Sequence, residues 1–385
     1  MLAKTPGRVS DYLEAIERLA PMIAEHRAAF DSERRLPDAV FNALADAGLF
    51  RLWLPRALGG PELPPNDFMT VVEAASALDG SVGWLVGNGG GMSRIGGYLP
   101  EPVAREFFSD SHAFVTSATG AVGAAQRVEG GYRVTGRWPF GSGAHHASHF
   151  MGLASVKGVD SKDEPPLCCY FERRDVVVHD TWLVSGLRAT GSSDFEVRDL
   201  FVPEQHTHVF MTFRPTQDGI VYRLPPVSAF AWTVAVVPLG IARGAMNAFV
   251  EIASRKARQG VSTLLRDRDI MQSNYGRADA LYRAARAFLI EAMSELMTAS
   301  AEKGPRLINA RAVFRTACTH AAETALRIVD ILAAESGAVA IFENSPIERF
   351  VRDVHAAVKH IAMSPNNYLV SGRVGLGLDP GTPRF

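Results

Sequence analysis

EGGYRVTGRWPFGSGAHHASHF, residues 129–150, runs from a Gly-Gly turn through an alternating Tyr-Val-Gly-Trp segment to a Ser-Gly turn and the histidines His145, His146 and His149. The alternation before the second turn, and the apolar run HFMGLASV at 149–156 after it, predict two strands flanking a tight loop. The histidines raise three readings: a metal site, a cluster of catalytic bases, or the wall of something larger. On a strand, residues 145 and 149 share a face but lie about 13 Å apart at roughly 3.3 Å per residue, too far for one zinc ion. No carboxylate or cysteine stands beside them to complete a ligand set. No metal is expected, and loop and half-exposed strand histidines are the plain reading.

Working outward, AFVTSATGAV (113–122), LCCYFE (167–172), VVVHDTWLV (176–184) and FEVRDLFVP (195–203) are short stretches rich in Val, Thr, Phe and Tyr, spaced by Gly, Asp and Pro. They predict a small β domain over residues 111–225. Before it, Leu13, Ile16 and Leu19, then Val40, Leu44 and Leu49, fall at helical spacing, with Pro37 suited to a first helical turn and Gly48 to a helix end. Two helices are predicted there, followed by helices at 68–80, 82–95 and 102–108, so residues 1–110 read as a helical domain. From residue 226 to 385 four long helical patterns follow, at 227–259, 266–302, 305–336 and 346–373. Pro305 starts the third, and Gly337 with Pro346 separates the third from the fourth. An antiparallel four-helix bundle is the expected packing, and the fold class is α+β.

The 40 Lys and Arg balance 41 Asp and Glu, so no net field favours nucleic acid or an anionic membrane. No uncharged apolar run of bilayer length is expected. Three cysteines, Cys168, Cys169 and Cys318, fit a reducing compartment rather than a disulfide scaffold, and the first residues lack the order of a secretory signal. A cytoplasmic location is expected. Neither a G-x-G-x-x-G turn after a strand, a Walker A loop, G-x-S-x-G nor H-E-x-x-H occurs. A second candidate for chemistry is the last helical pattern, with His355 and His360. Five residues apart, they point about 140° away from each other on a helix and cannot face one ligand. Pro365 would end that helix soon after His360, placing the imidazole near the negative end of the helix dipole, which favours imidazolium.

These segments together resemble the acyl-CoA dehydrogenase superfamily. RLPDAVFNALADAGLFRLWLPRALGG (35–60) is similar to its N-terminal domain, GGYRVTGRW (130–138) and GLRATGSSDFEVRDLFVP (186–203) to its β domain, and PLGIARGA (238–245) and ERFVRD (348–353) to its bundle helices. The resemblance implies a helical domain, a small β-barrel or sandwich and a four-helix bundle, with a bound flavin. It implies that Trp138 and the turn after it, with Phe140 and Gly143, face the isoalloxazine, that Thr116, Ser117, Ala118 and Thr119 lie along its pyrimidine side, and that Ser142 faces flavin N5.

Dehydrogenases of this superfamily carry a glutamate base at positions that here hold Ile361 or Phe230. The two-component flavin-dependent monooxygenases of the same fold are the closer resemblance, through the Ser-Gly and His-Ala series of 142–147 and the Trp84 helix DGSVGWL. That branch implies a reduced flavin (FADH2 or FMNH2) with O2 as co-substrate, a C4a-hydroperoxyflavin, and hydroxylation of a small aromatic, most simply a phenol. It further implies a separate NAD(P)H:flavin reductase and a homotetramer. His360 is the expected catalytic base, with hydrogen bonding to the hydroperoxide as a second expected role, Ser142 is expected to protect the adduct, and Trp84, His145 and His146 are substrate candidates. An acyl-CoA dehydrogenase and a non-catalytic flavin-fold partner are the alternatives.

Overall fold

The structure, a computed structural model, describes residues 7–158, 165–211, 214–257, 260–302 and 304–382. They divide into two compact units. The first takes in the described residues up to Phe68, Leu85–Val184 and Arg188–Ala229, and the second Met69–Trp84, Ser185–Leu187 and the chain from Phe230 onward.

In the first third of the chain the helices are α1 (Val9–Glu25), α2 (Arg27–Glu33), α3 (Asp38–Asp46), α4 (Pro65–Leu78), α5 (Gly80–Met92) and α6 (Glu101–Phe107). Three helices replace the two expected before Gly48, because the backbone turns out of helical geometry at His26 (φ −89°, ψ 2°). Pro37 precedes α3, and Gly48 follows it with φ 73°. Seven strands then form a single mixed sheet: β1 (Val115–Val128), β2 (Gly131–Gly141), β3 (His149–Val156), β4 (Leu167–Glu172), β5 (Val177–His179), β6 (Ser193–Pro203) and β7 (Thr207–Val209), in the order β5-β6-β2-β1-β3-β4-β7. β1 and β3 run parallel, and the remaining pairs antiparallel. β5 uses only part of the expected 176–184 stretch, and β7 is too short to have left a periodic signal.

Trp138 is the packing centre of this sheet. Its ring is wholly buried, stacks on Phe195 at 5.3 Å and donates from Nε1 to Leu153 O at 2.9 Å. A methyl group added at Gly136 or Gly152 would lie 2.5 Å from the indole, and one at Gly123 2.7 Å, so these glycines are the space the indole fills. A second aromatic cluster, Phe41, Phe50 and Phe114 with centroids 4.8–5.6 Å apart, joins α3 to the start of β1.

The C-terminal helices are α7 (Ile220–Arg223), α8 (Pro226–Ala235), α9 (Val237–Arg255), α10 (Asp269–Glu302), α11 (Pro305–Ser336), α12 (Pro346–Ala357) and α13 (Asn366–Gly375). In the second unit α11 packs against α9, α10, α12 and α13. Two expected helices are each divided in two. Pro238 lacks the N–H of a continuous helix, so 227–259 divides at Val236. The 346–373 stretch divides before its proline: α12 ends at Ala357, the backbone is extended at His360 and again at Ser364, and Pro365 stands at the N-terminus of α13. The expectation that no apolar stretch reaches bilayer length is also corrected. Pro226–Arg255 is long and apolar enough by composition, and 83% of its most apolar window is buried, as in a core helix.

Candidate functional site

In the first unit the site residues meet where β2 leaves its ladder. Pairing between β2 and β6 slips between Trp138–Phe195 and Gly141–Ser193, so Pro139 and Phe140 stand against the single residue Asp194. Proline cannot donate to the ladder, and the extra residue turns the chain. Phe140 takes φ 65°, a conformation costly for a side chain with a Cβ, and its ring is 67% exposed. One turn on, Ser142 is gripped from several sides. Thr116 Oγ1 donates to its carbonyl at 2.7 Å, and its own Oγ lies 2.9 Å from Ser192 Oγ. Gly143 N–H donates to Thr190 O at 2.7 Å.

Thr116 is the second residue of β1, whose pairing with β3 slips between Ala118 and Val122. Thr119, Gly120 and Ala121 therefore bulge from that ladder, and space is open around Gly120. Bulges beside such turns re-aim backbone groups out of a sheet. The three histidines part company here. His145 Nε2 is 3.3 Å from Ser193 Oγ, in the space left by Gly191. His146 stacks on Phe41 at 4.2 Å with Nε2 2.9 Å from Leu36 O, and burial pushes its pKa down to about 4. His149 stacks on Phe107 at 4.0 Å, with Nδ1 3.1 Å from Ser148 Oγ.

The second unit carries the other candidate. His360 lies in the break between α12 and α13, in extended geometry (φ −67°, ψ 140°). Its ring meets Trp84 edge-on at 5.6 Å and Phe230 at 6.0 Å. Ala362 N–H donates to Nδ1 at 3.2 Å, so in the neutral ring the proton is on Nε2. Burial lowers the imidazole pKa to about 4, away from the imidazolium that a helix end would favour. His355 faces elsewhere, with Nε2 3.1 Å from Asp330 on the exposed side of α12. Phe230 and Ile361 stand at the dehydrogenase base positions, and Ile361 is 73% exposed.

Residues 13–98 match the acyl-CoA dehydrogenase N-terminal domain and 232–365 the acyl-CoA dehydrogenase C-terminal domain. The indole-3-acetate monooxygenase of Pseudomonas putida is 30% identical over 91% of this chain and 90% of its own length. The flavin-dependent monooxygenase oxygenase subunit HsaA of Mycobacterium tuberculosis is 31% identical over 96% of each chain. The chain belongs to the flavin-dependent monooxygenases of the acyl-CoA dehydrogenase superfamily. Among solved structures, XiaF from Streptomyces in complex with FADH2 superposes on this monooxygenase with a TM-score of 0.89, at 29% identity over 97% of each chain. The HsaA crystal structure superposes at 0.88 with 28% identity, over 98% of this chain and all of its own.

The donor set in the first unit of this monooxygenase suits a flavin ring. It combines an exposed aromatic face at Phe140, the Ser142 hydroxyl, and the bulged backbone of 119–121 beside Thr116, Ser117 and Ala118. These neutral donors and acceptors match the amide edge of an isoalloxazine. Two expected roles change. Trp138 presents no surface on which a ring could lie, and the available aromatic is Phe140, two residues on. His146 spends both its face and Nε2 inside the unit, which leaves it a strut between the Ser-Gly turn and α3 rather than a substrate contact. Sequence reasoning missed Thr190 and Ser192, whose place beside Ser142 follows from pairing Gly141 with Ser193 across 52 residues. The only local signal was the run of small hydroxyl residues in ATGSS (189–193).

Proposed function

We propose that this chain is an oxygenase component that hydroxylates a small, electron-rich aromatic such as a phenol, using reduced flavin delivered by a separate NAD(P)H:flavin reductase. The overall change is ArH + O2 + reduced flavin → ArOH + H2O + oxidised flavin. The observation that carries the substrate class is His360, an imidazole with a protonated Nε2 flanked by the rings of Trp84 and Phe230. Aromatic walls with one polar donor favour a flat ring bearing one oxygen.

Bound reduced flavin supplies, with O2, the oxygen atom that is inserted. Phe140 would cover the flavin face, and Thr116 to Thr119 with Gly143 would meet its polar edge. Ser142 would place a hydroxyl at N5 and keep water from it. The role of His360 shifts from the expected base to a hydrogen-bond donor. Taking a proton at Nε2 needs a tautomer whose Nδ1–H would point at Ala362 N–H, and a pKa near 4 makes the ring a poor base at neutrality. Donating from Nε2 to a phenolic oxygen orients the ring and favours its anionic form without proton transfer to the imidazole. A homotetramer is proposed as the assembly.

The test uses the chain, a flavin reductase, NADH and a panel of phenols under 18O2. The expected result is one 18O per product molecule, formed only with reductase present. His360→Ala should lower product formation about 10- to 100-fold. In the wild type the rate should carry no limb at pH 6–8 assignable to His360. Lack of 18O in any product overturns the hydroxylase reading, and an acid limb near pH 6.5 that His360→Ala removes overturns the donor role.

A further inference from the structure

The break that carries His360 is held by two buried side chains that the proposed chemistry does not use. Thr319, on α11 and fully buried, donates from Oγ1 to Ser364 O at 3.0 Å. Asn367, in the first turn of α13 and 6% exposed, donates from Nδ2 to Thr319 Oγ1 at 3.0 Å and to Ala362 O at 3.0 Å. Its backbone N–H donates to Ser364 O, also at 3.0 Å. Both amide protons, the hydroxyl proton and both lone pairs of the Ser364 carbonyl are therefore in use. The reversed amide would set Oδ1 against Ala362 O, so the network itself fixes which way Asn367 points.

Burying an amide and a hydroxyl costs free energy unless both are bonded, and an apolar pair would join α11 to α13 without that cost. What the polar pair adds is direction. Ala362 is gripped at its carbonyl, and its N–H, on the other side of the same Cα, donates to His360 Nδ1 at 3.2 Å. The turn between them is closed by Met363 N–H to His360 O at 2.9 Å and by Ser364 N–H to Ile361 O at 3.2 Å. Contacts thus run from α11 through Thr319, Asn367 and Ala362 to the imidazole, all inside the second unit. With Nδ1 occupied as an acceptor, the neutral ring has one place for its proton, Nε2. Were Ala362 to turn away, the ring would divide between two tautomers, and only one of them donates from Nε2. We propose that Asn367 and Thr319 are positioning residues that hold Ala362 N–H on His360 and so keep the imidazole in the tautomer that donates to substrate. The proposal rests on the reading of His360 as a donor, and it assigns a task in the reaction to two residues that act only through Ala362.

The test combines ring 15N NMR of the histidine-labelled chain with turnover in the presence of a flavin reductase, NADH and a phenol. His360→Ala assigns the His360 signals by their loss, and thermal midpoints confirm that each variant is folded. In the wild type Nε2 should carry the proton and Nδ1 should not. Asn367→Ala, and the nearly isosteric Thr319→Val as a second route, should each move the His360 nitrogens toward the average of the two tautomers. Each should also lower product formed per flavin oxidised about 3- to 10-fold. Thr319→Ser keeps the hydroxyl and should restore both readings. Asn367→Ala combined with His360→Ala should be no worse than His360→Ala alone, because the brace acts through the imidazole. Wild-type His360 signals in folded Asn367→Ala and Thr319→Val overturn the brace, as do losses that add to that of His360→Ala. A wild-type ring protonated on Nδ1, or a His360→Ala variant that forms product as the wild type does, overturns the reading of His360 as donor, and the brace with it.

Discussion

Phe140 pays for its position in backbone strain. At φ 65° a residue with a Cβ is disfavoured by roughly 1–2 kcal/mol, and its ring, 67% exposed, recovers little of that by burial. Strain held at an exposed aromatic beside Ser142 makes sense if the ring serves a ligand. The sign of two substitutions separates strain from binding. Phe140→Gly should raise stability by about 1 kcal/mol in urea unfolding, because glycine tolerates that φ, while weakening flavin binding about 5-fold or more through loss of the ring. Phe140→Ala should weaken binding equally without the gain in stability. Destabilisation by Phe140→Gly would remove the strain from the argument, and unchanged flavin affinity would remove the ring from the site. Only the loop was legible here from sequence. Trp138 and Phe140 both lie on β2, and choosing between them needed the bulge at Pro139, which turns one ring out and leaves the other among three glycines. His360 is similar, since its tautomer depends on Ala362 N–H in a helix break that periodicity did not reveal.

Between elements, the second unit holds a buried pair of carboxylates. Asp79 caps α5, accepting from Ser81 N–H at 2.9 Å and Val82 N–H at 3.3 Å, with Arg349 3.8 Å away. Asp353 on α12 accepts from Leu187 N–H at 2.7 Å. A methyl group on Gly80 would lie 2.8 Å from Asp353 Oδ2, so glycine lets α12 approach the start of α5. Burial, and next the charge of Asp79, push the Asp353 pKa up to about 7 from 3.8, so its proton is retained where ordinary carboxylates have lost theirs. The folded pKa is raised, so the stability this group contributes is fully present below pH 3.8 and is lost as pH rises through about 7. Asp353→Asn keeps the shape and stays neutral. Its stability relative to wild type should therefore increase between pH 4 and 7, by on the order of a few kcal/mol, and level off above. A difference independent of pH, measured by urea unfolding, would mean that Asp353 is ionised in the fold. The Asp of ERFVRD was legible as a motif, but its partner Asp79 is 274 positions earlier and no local pattern joins them. The prolines and glycines that bound α11 and α12 were legible because a missing N–H or a positive φ acts where it stands.

For the molecule as a whole, the order of helices, strands and helices was readable because each rests on local periodicity, whereas the strand order β5-β6-β2-β1-β3-β4-β7 rests on pairings between distant segments. Assembly depends on what folding leaves uncovered. In the second unit Ile341 is 76% exposed, Phe342 58%, Leu369 61% and Leu376 80%. Leu369 lies in α13 and Leu376 caps its C-terminus, seven residues on and so near the same helical face. Side chains of this size left in water on one face form a surface that the proposed homotetramer would cover. A net charge of −1 adds no long-range repulsion against self-association. The proposed homotetramer therefore makes a direct prediction. Light scattering coupled to size exclusion should give the mass of four chains for the wild type, and Leu369→Ser with Leu376→Ser should shift that mass downward while far-UV dichroism stays unchanged. Neither leucine has its side chain in the core, so the fold should tolerate the double change within about 1 kcal/mol. A wild type that elutes as a monomer would refute the tetramer, and a double variant that keeps the full mass would move the contact surface away from α13.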